Sequence, residues 1–177
     1  DSTKTGYYKA ALTSAEFIWF VPYAVQTLFV HSASEYWSQG KTEAIDRMLS
    51  KATKYGLLLT VLMAIGLASL GGPFLRTYFG TEFDQAVVPL IILLPGAVGF
   101  ALARPIYAVS YARGNMRPII LATVVPAMIN LILNLLLIPR YGMSGAAAAT
   151  SIGYSSLFVF HLQYSYSLGV HPLREVN

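Results

Sequence analysis

Two charged side chains stand where a chain of this composition has least use for charge. Glu16 lies about ten residues into an apolar run that begins near Gly6; at ~1.5 Å per helical residue its carboxyl sits ~15 Å deep. A carboxylate at that depth needs a proton, a partner or a water-filled cavity, because carrying the charge into hydrocarbon costs at least ~2.5 kcal/mol. It suits a proton- or cation-coupling group, and it suits a residue tied by hydrogen bonds into helix packing. Arg104 sits in another apolar run, ~13 Å along the helix axis from Arg113. Its guanidinium fork matches phosphate oxygens. A structural ion pair, for instance with Glu16, or partial snorkelling to headgroups would also explain it. Asn130 and Asn134, four residues apart, share one helix face just beyond Pro126, whose ring leaves a carbonyl unpaired. Such a face lines a polar cavity or hydrogen-bonds a neighbouring helix. His161 and Gln163 fall near the end of the last apolar run, close to the expected interface, where a lone histidine is usually structural.

Other chemistries are absent from the pattern. The chain has no cysteine, which removes disulfides, thiolate zinc sites and cysteine nucleophiles. No metal, phosphate-loop or catalytic-triad spacing occurs. Charged residues make up only 11% of the chain, and no general acid and base stand at a workable separation. The expectation is a protein that is not an enzyme and carries no cofactor or metal. The formal charge of +4 is small. In a membrane protein its basic residues are read first as topology signals, so no nucleic acid partner is inferred.

The elements that must position these residues follow from hydropathy. With 55% hydrophobic residues and a mean hydropathy of +0.56, the 177-residue chain departs from soluble domains, which are ~25% charged. Apolar stretches of ~20 residues are long enough to cross ~30 Å of hydrocarbon. The reading is an all-α membrane protein with about five transmembrane helices, at residues 6–30, 55–75, 86–112, 119–138 and 143–168, and no soluble domain. Between the first two, residues 40–54 alternate Ala44, Ile45, Met48, Leu49 and Ala52 with Lys41, Glu43, Asp46, Arg47, Lys51 and Lys54, the pattern of an amphipathic helix in the interface. Gly71, Gly72 and Pro73 are expected to end the second span. Pro89, Pro95, Gly96, Gly99 and Pro105 are expected to kink the third, and residues 139–142 to turn the chain between the last two. With Pro22 and Pro126, these breaks resemble the interrupted helices that transporters use at substrate sites and hinges.

Loop charge gives an orientation. Lys41, Arg47, Lys51, Lys54, Arg113, Arg117 and Arg174 fall on one side, and Lys4, Lys9, Arg76 and Arg140 on the other. Seven against four sets the first side in the cytoplasm. Tyrosines at proposed helix ends, including Tyr36, Tyr55, Tyr78 and Tyr141, fit the interfacial belts. Five spans starting outside require at least one more helix ahead of Asp1 if the parent begins in the cytoplasm, so the chain reads as a piece of something longer.

These residues resemble a family. GYYKAALTSAEFIWFVPYAVQTLF at residues 6–29 resembles a Gly-x-Tyr segment leading into a helix with an internal proline. YARGNMRP at 111–118 resembles a short cytoplasmic turn. LIPRYGMSGAAAAT at 137–150 is similar to a Leu-Ile-Pro-x-Tyr-Gly-x-x-Gly-Ala-Ala turn between two late helices. In this order they resemble the polysaccharide transporters, O-antigen flippases among them, within the multidrug, oligosaccharidyl-lipid and polysaccharide exporter superfamily. One departure is Val30-His31, where the family commonly has proline.

The resemblance implies a MATE-like architecture of two facing six-helix bundles, with this chain as the last five helices of the second and an N-terminal bundle missing. It also implies residence in the cytoplasmic membrane among membrane lipids, and alternating access for a lipid-linked oligosaccharide, with a proton or sodium as possible coupling ion. The resemblance transfers no binding residues; Glu16 and Arg104 are the expected lumen residues because of their depth in the apolar runs, with Asn130 and Asn134 as further pathway candidates. Two other readings share the pattern: a drug or cation antiporter of the same superfamily, and a non-transporting scaffold for glycan assembly.

Overall fold

Proline and glycine decide where the long apolar runs bend. The computed structural model describes residues 2–112, 114 and 116–174, the side chains of Ala112 and Pro118 aside. Asp1, Arg113 and Asn115, used above, lie outside the described residues. The first apolar run forms two helices, α1 (Ser2–Glu16) and α2 (Phe20–Ser38), joined by a 3-10 turn over Phe17–Trp19. Pro22 has no N–H to give the carbonyl four residues back, and the turn before it tightens: the Phe20 N–H bonds to the Phe17 carbonyl. The expected span at 6–30 is therefore broken directly after Glu16, and helical structure extends to Ser38.

A further helix, α3 (Thr42–Phe79), runs 38 residues without a break. Residues 40–54 and 55–75 were separable by hydropathy, but no backbone boundary separates them; amphipathic start and apolar continuation are one helix. Nor do Gly71, Gly72 and Pro73 stop it. Pro73 costs a single hydrogen bond inside a packed helix, and the end comes at Gly80, whose φ of 111° is open to glycine and closed to most other residues. Glu43 in the first turn and Arg76 in the last complement the helix dipole.

A 3-10 segment, Thr81–Ala86, leads into α4 (Val87–Ala112), which contains Pro95 and Pro105. The remaining helical stretch, α5 (Met116–Ser167), is two arms folded at Gly142, where φ is 56° and ψ −129°. Contacts between Leu137 and Gly145 and between Asn130 and Gly153 show the arms, 116–141 and 143–167, running antiparallel. No strand occurs among the described residues. Thr42–Phe79, Thr81–Tyr111 and Ile119–Ser167 are long and apolar enough to cross a membrane. The chain is an all-α membrane protein.

Helix α4 is the axis of the bundle, buried on most sides by α1, α2, α3 and the second arm of α5. At one end Ala11, Ala15 and Ile18 pack on Leu90, Leu93 and Ala97. At the other, Ala33, Ile45, Leu49, Ile106, Val109 and Val170 form a second core. Small residues let α4 and α5 meet backbone to backbone. A Cβ at Gly96 would lie 2.4 Å from the Ser151 Cα, and the Gly96 N–H donates to Ser151 Oγ at 2.9 Å. Outside, Leu58, Leu62, Leu70, Leu121, Leu135 and Leu136 are 60–70% exposed, as suits surfaces solvated by lipid tails rather than water.

Each end of the bundle is fastened by a carboxylate. Asp46, near the start of α3, accepts the His171 N–H at 2.6 Å and Arg174 Nη1 at 3.1 Å, while Ser50 Oγ donates to the His171 carbonyl at 2.8 Å. The segment after α5 is thereby pinned to the base of α3. At the opposite end Arg76 grips both carboxylate oxygens of Asp84, Nη2 to Oδ2 at 2.7 Å, clipping the end of α3 to the loop before α4.

Candidate functional site

Three helix faces carry polar or aromatic side chains into the bundle. On α4, Phe100, Arg104 and Tyr107 follow helical spacing; on the second arm of α5, Thr150, Tyr154, Leu157 and His161 do; on the first arm, Thr123 and Asn130 do. Each stripe interrupts an otherwise apolar helix, and the fold turns them toward each other. They wall two adjoining cavities. The first, about 330 Å³, lies between α1 and the α5 hairpin, with Tyr8, Asn130, Thr150 and Tyr154 in its walls. The second, about 260 Å³, lies between α4 and the hairpin, with Phe100, Arg104, Tyr107 and His161. Thr123 and Leu157 belong to both, so the two make one cleft.

The asparagines bond to each other and across the hairpin. Asn134 Nδ2 donates to Asn130 Oδ1 at 2.9 Å, and Asn130 Nδ2 to Thr150 Oγ1 at 3.3 Å. The Thr150 hydroxyl shares a 2.9 Å hydrogen bond with the Tyr8 hydroxyl. One chain of polar groups thus links α1 to both arms of α5. Interhelical bonding and cavity lining, set apart as alternatives by sequence, coexist at Asn130.

Glu16 closes α1 on the same face as Tyr8 and Leu12, which line the first cavity. It is partly buried, and no hydrogen bond or ion pair ties it to Arg104. Tyr154 lies within electrostatic reach of Glu16, Tyr8 and Arg104. The ring also packs against Trp19 and Phe100, at centroid distances of 5.3 and 4.8 Å. Trp19 is fixed in turn by its indole N–H, which donates to the Ala97 carbonyl at 3.1 Å.

Arg104 is held by α2. Its Nη2 donates to the Tyr23 hydroxyl at 2.8 Å and its Nη1 to Gln26 Oε1 at 3.4 Å. The guanidinium carbon lies 3.9 Å from the Tyr23 ring centroid and 4.3 Å from that of Phe100, cation–π distances that stabilise a desolvated cation. The ion pair with Glu16 entertained from sequence is not formed; both hydrogen-bond acceptors of Arg104 are neutral. Its Nε is buried without a partner.

His161, which sequence put close to the interface as a structural residue, is 2% exposed within the bundle, edge-on to Tyr107 at 5.5 Å, with an unpartnered Nδ1. Its spacing of 4, 7 and 11 residues from Leu157, Tyr154 and Thr150 was the available signal. Tyr23 and Gln26 gave no such signal, because their role depends on how α2 leaves the turn at Phe17–Trp19. Among the described residues no three His, Asp or Glu side chains gather as metal ligands.

Residues 10–177 match the family described as Lipid II flippase MurJ. The chain is 27% identical over 172 residues to the uncharacterized membrane protein MJ1068 of Methanocaldococcus jannaschii, a match covering 93% of this chain and 32% of that protein. It is 27% identical over 163 residues to the probable low-salt glycan biosynthesis flippase Agl15 of Haloferax volcanii, covering 90% and 34%. It is 25% identical over 162 residues to the lipid II flippase MurJ of Bacillus subtilis, covering 84% and 30%. The chain spans about a third of the length of these curated relatives. The matches agree with the motif resemblance at the level of the superfamily's flippases and do not select its O-antigen and polysaccharide branch. Because the family match runs through every helix that walls the cleft, this chain belongs to the MurJ lipid II flippase family.

Proposed function

We propose that this chain forms part of a flippase that carries a lipid-linked oligosaccharide across the cytoplasmic membrane by alternating access. The observation that carries the reading is the family match over residues 10–177; the cleft gives it physical content. Sugars cross a bilayer only where hydroxyls and amides replace their water. Tyr8, Asn130, Thr150 and Tyr154 supply such groups around the first cavity, and the prenyl tail stays in lipid. On this reading the cleft faces a further helical bundle, Glu16, Arg104, Asn130 and Asn134 lie on the substrate or ion pathway, and a proton or sodium ion drives the cycle. Glu16 is the coupling candidate because it is ionisable and, among the described residues, no salt bridge pairs it with a cation. Substrates in this class carry phosphate next to the glycan, which gives a role to the cation in the wall of the second cavity.

The test is glycan export by the full-length protein in a flippase-null host, comparing wild type with Arg104→Ala at matched membrane abundance. Rescue by wild type and failure of the variant supports flipping with Arg104 on the route. Rescue by both removes Arg104 from the route, and rescue by neither refutes glycan flipping.

A further inference from the structure

Away from the cleft, helices α2, α3 and α4 leave a gap where Pro22, Gly56 and Ala101 come together. The gap is a cavity of about 150 Å³, with Val21, Leu59 and Leu102 also in its wall. A Cβ added at Gly56 would meet nothing nearer than Leu102 Cδ2, at 3.9 Å, so the missing side chain leaves open space in front of α3. The wall offers little polar chemistry. The Thr60 hydroxyl, which also lines it, donates to the Gly56 carbonyl of its own helix at 2.7 Å. Tyr55 and Val21 are 66% and 38% exposed, so the cavity opens sideways between α2 and α3. An apolar cavity of this size stays dry and takes hydrocarbon, and in a membrane the opening meets acyl chains.

Charge leads up to that opening along one row of α3. Arg47, Lys51 and Tyr55 follow at i, i+4 spacing and are all exposed. Lys41 and Lys54 add two exposed cations at the same end of the helix. The acidic residues there are Glu43, which is exposed, and Asp46, which is buried and bonded to Arg174. From Lys51 to Thr60 the helix rises ~14 Å, close to half of a ~30 Å hydrocarbon layer. One acyl chain reaches that far from its headgroup.

We propose that the groove between α2 and α3 binds an anionic glycerophospholipid, with an acyl chain in the cavity beside Gly56 and the headgroup on Arg47 and Lys51. The apolar wall accepts any chain, and the basic row selects the headgroup by its charge. The chain fills the space beside Pro22, just past the turn where α2 departs from α1, so its occupancy bears on the direction in which α2 carries Tyr23 and Gln26 to Arg104. The site goes beyond the flippase reading and does not depend on it.

The experiment is photo-crosslinking of the full-length protein in phosphatidylcholine nanodiscs. The probe is phosphatidylglycerol with a diazirine in mid-chain, the control is phosphatidylcholine with the same diazirine, and the labelled peptides are mapped. Wild type should be labelled within residues 52–60 and 101–105 by the phosphatidylglycerol probe, ~5-fold or more above the control. That ratio is the ~1 kcal/mol of one basic residue at an anionic surface, converted at ~1.4 kcal/mol per tenfold. Lys51→Gln, a change at an exposed position, should lower phosphatidylglycerol labelling ~5-fold and leave the control unchanged. Gly56→Leu, whose side chain enters the cavity, should abolish labelling of the groove by both probes. Thermal unfolding screens it for misfolding, and Lys51→Gln keeps the site testable if it does not fold. Equal labelling by the two probes, or phosphatidylglycerol labelling that survives Lys51→Gln, refutes a site for an anionic headgroup. No labelling in the groove means that another segment of the protein covers it, and overturns the proposal as well. Crosslinking reads binding alone, so failed glycan export alongside intact labelling refutes flipping and leaves the site standing.

Discussion

The contact between α4 and the second arm of α5 lends itself to a paired test with a built-in control. Adding one methyl at Gly96 puts a carbon 2.4 Å from Ser151 Cα and 2.7 Å from its carbonyl oxygen, against the ~3.5–4.0 Å of an ordinary carbon contact. Both obstacles are backbone, so neither can rotate aside, and the helices must separate by ~1 Å. Overpacking of this kind costs ~1–3 kcal/mol. The hydrogen bond from the Gly96 N–H to Ser151 Oγ stretches with it, worth ~1 kcal/mol. Replacing a helical glycine by alanine returns ~1 kcal/mol, so Gly96→Ala should lose a net ~1–3 kcal/mol. The same substitution at Gly66 in α3 meets nothing within 4 Å and keeps only the helix gain of up to ~1 kcal/mol. Reversible unfolding in mixed micelles, with dodecyl sulfate as denaturant, reads both. The expected order of stability is Gly66→Ala, wild type, Gly96→Ala. If Gly96→Ala is as stable as wild type, the close crossing of these helices is wrong.

Two further outcomes follow from the polar fastenings. Asp46→Asn keeps the size of the side chain but removes the charge that receives the His171 N–H and Arg174; hydrogen exchange over residues 168–174 should speed by ~10-fold or more, since bonds to a charged group contribute ~1.5–3 kcal/mol. Unchanged exchange there would show that Val170 packing and the Ser50 hydrogen bond hold the segment without the Asp46 charge. Asn130→Ala breaks the link through Thr150 and Asn134, an interhelical bond averaging ~0.6 kcal/mol in membranes. With so small a stability loss, a large fall in glycan export at normal abundance would place Asn130 on the pathway, and export that tracks stability would reduce it to packing.

Composition alone determined the class. A chain with 11% charged residues and successive ~20-residue apolar runs can satisfy its backbone in lipid only as helices, and the same scarcity of charge singled out Glu16 and Arg104. The i, i+4 spacing of Asn130 and Asn134 likewise forecast a shared face, because helix geometry is local. Partners were a different matter. Whether Arg104 meets Glu16 or Tyr23 depends on the direction α2 takes after the turn at Phe17–Trp19, and a proline in the sequence marks the break without giving the angle. Hydropathy cut α3 at Tyr55 because charge density changes there, yet backbone hydrogen bonding does not sense charge density and the helix continues to Phe79. The burial of His161 was not legible for a related reason: it is set by what packs across the helix, here Tyr107 from α4, and not by position along it. The sequence supplied the polar side chains and their helix faces; only the crossing of the helices brought Arg104 and His161 to one cavity.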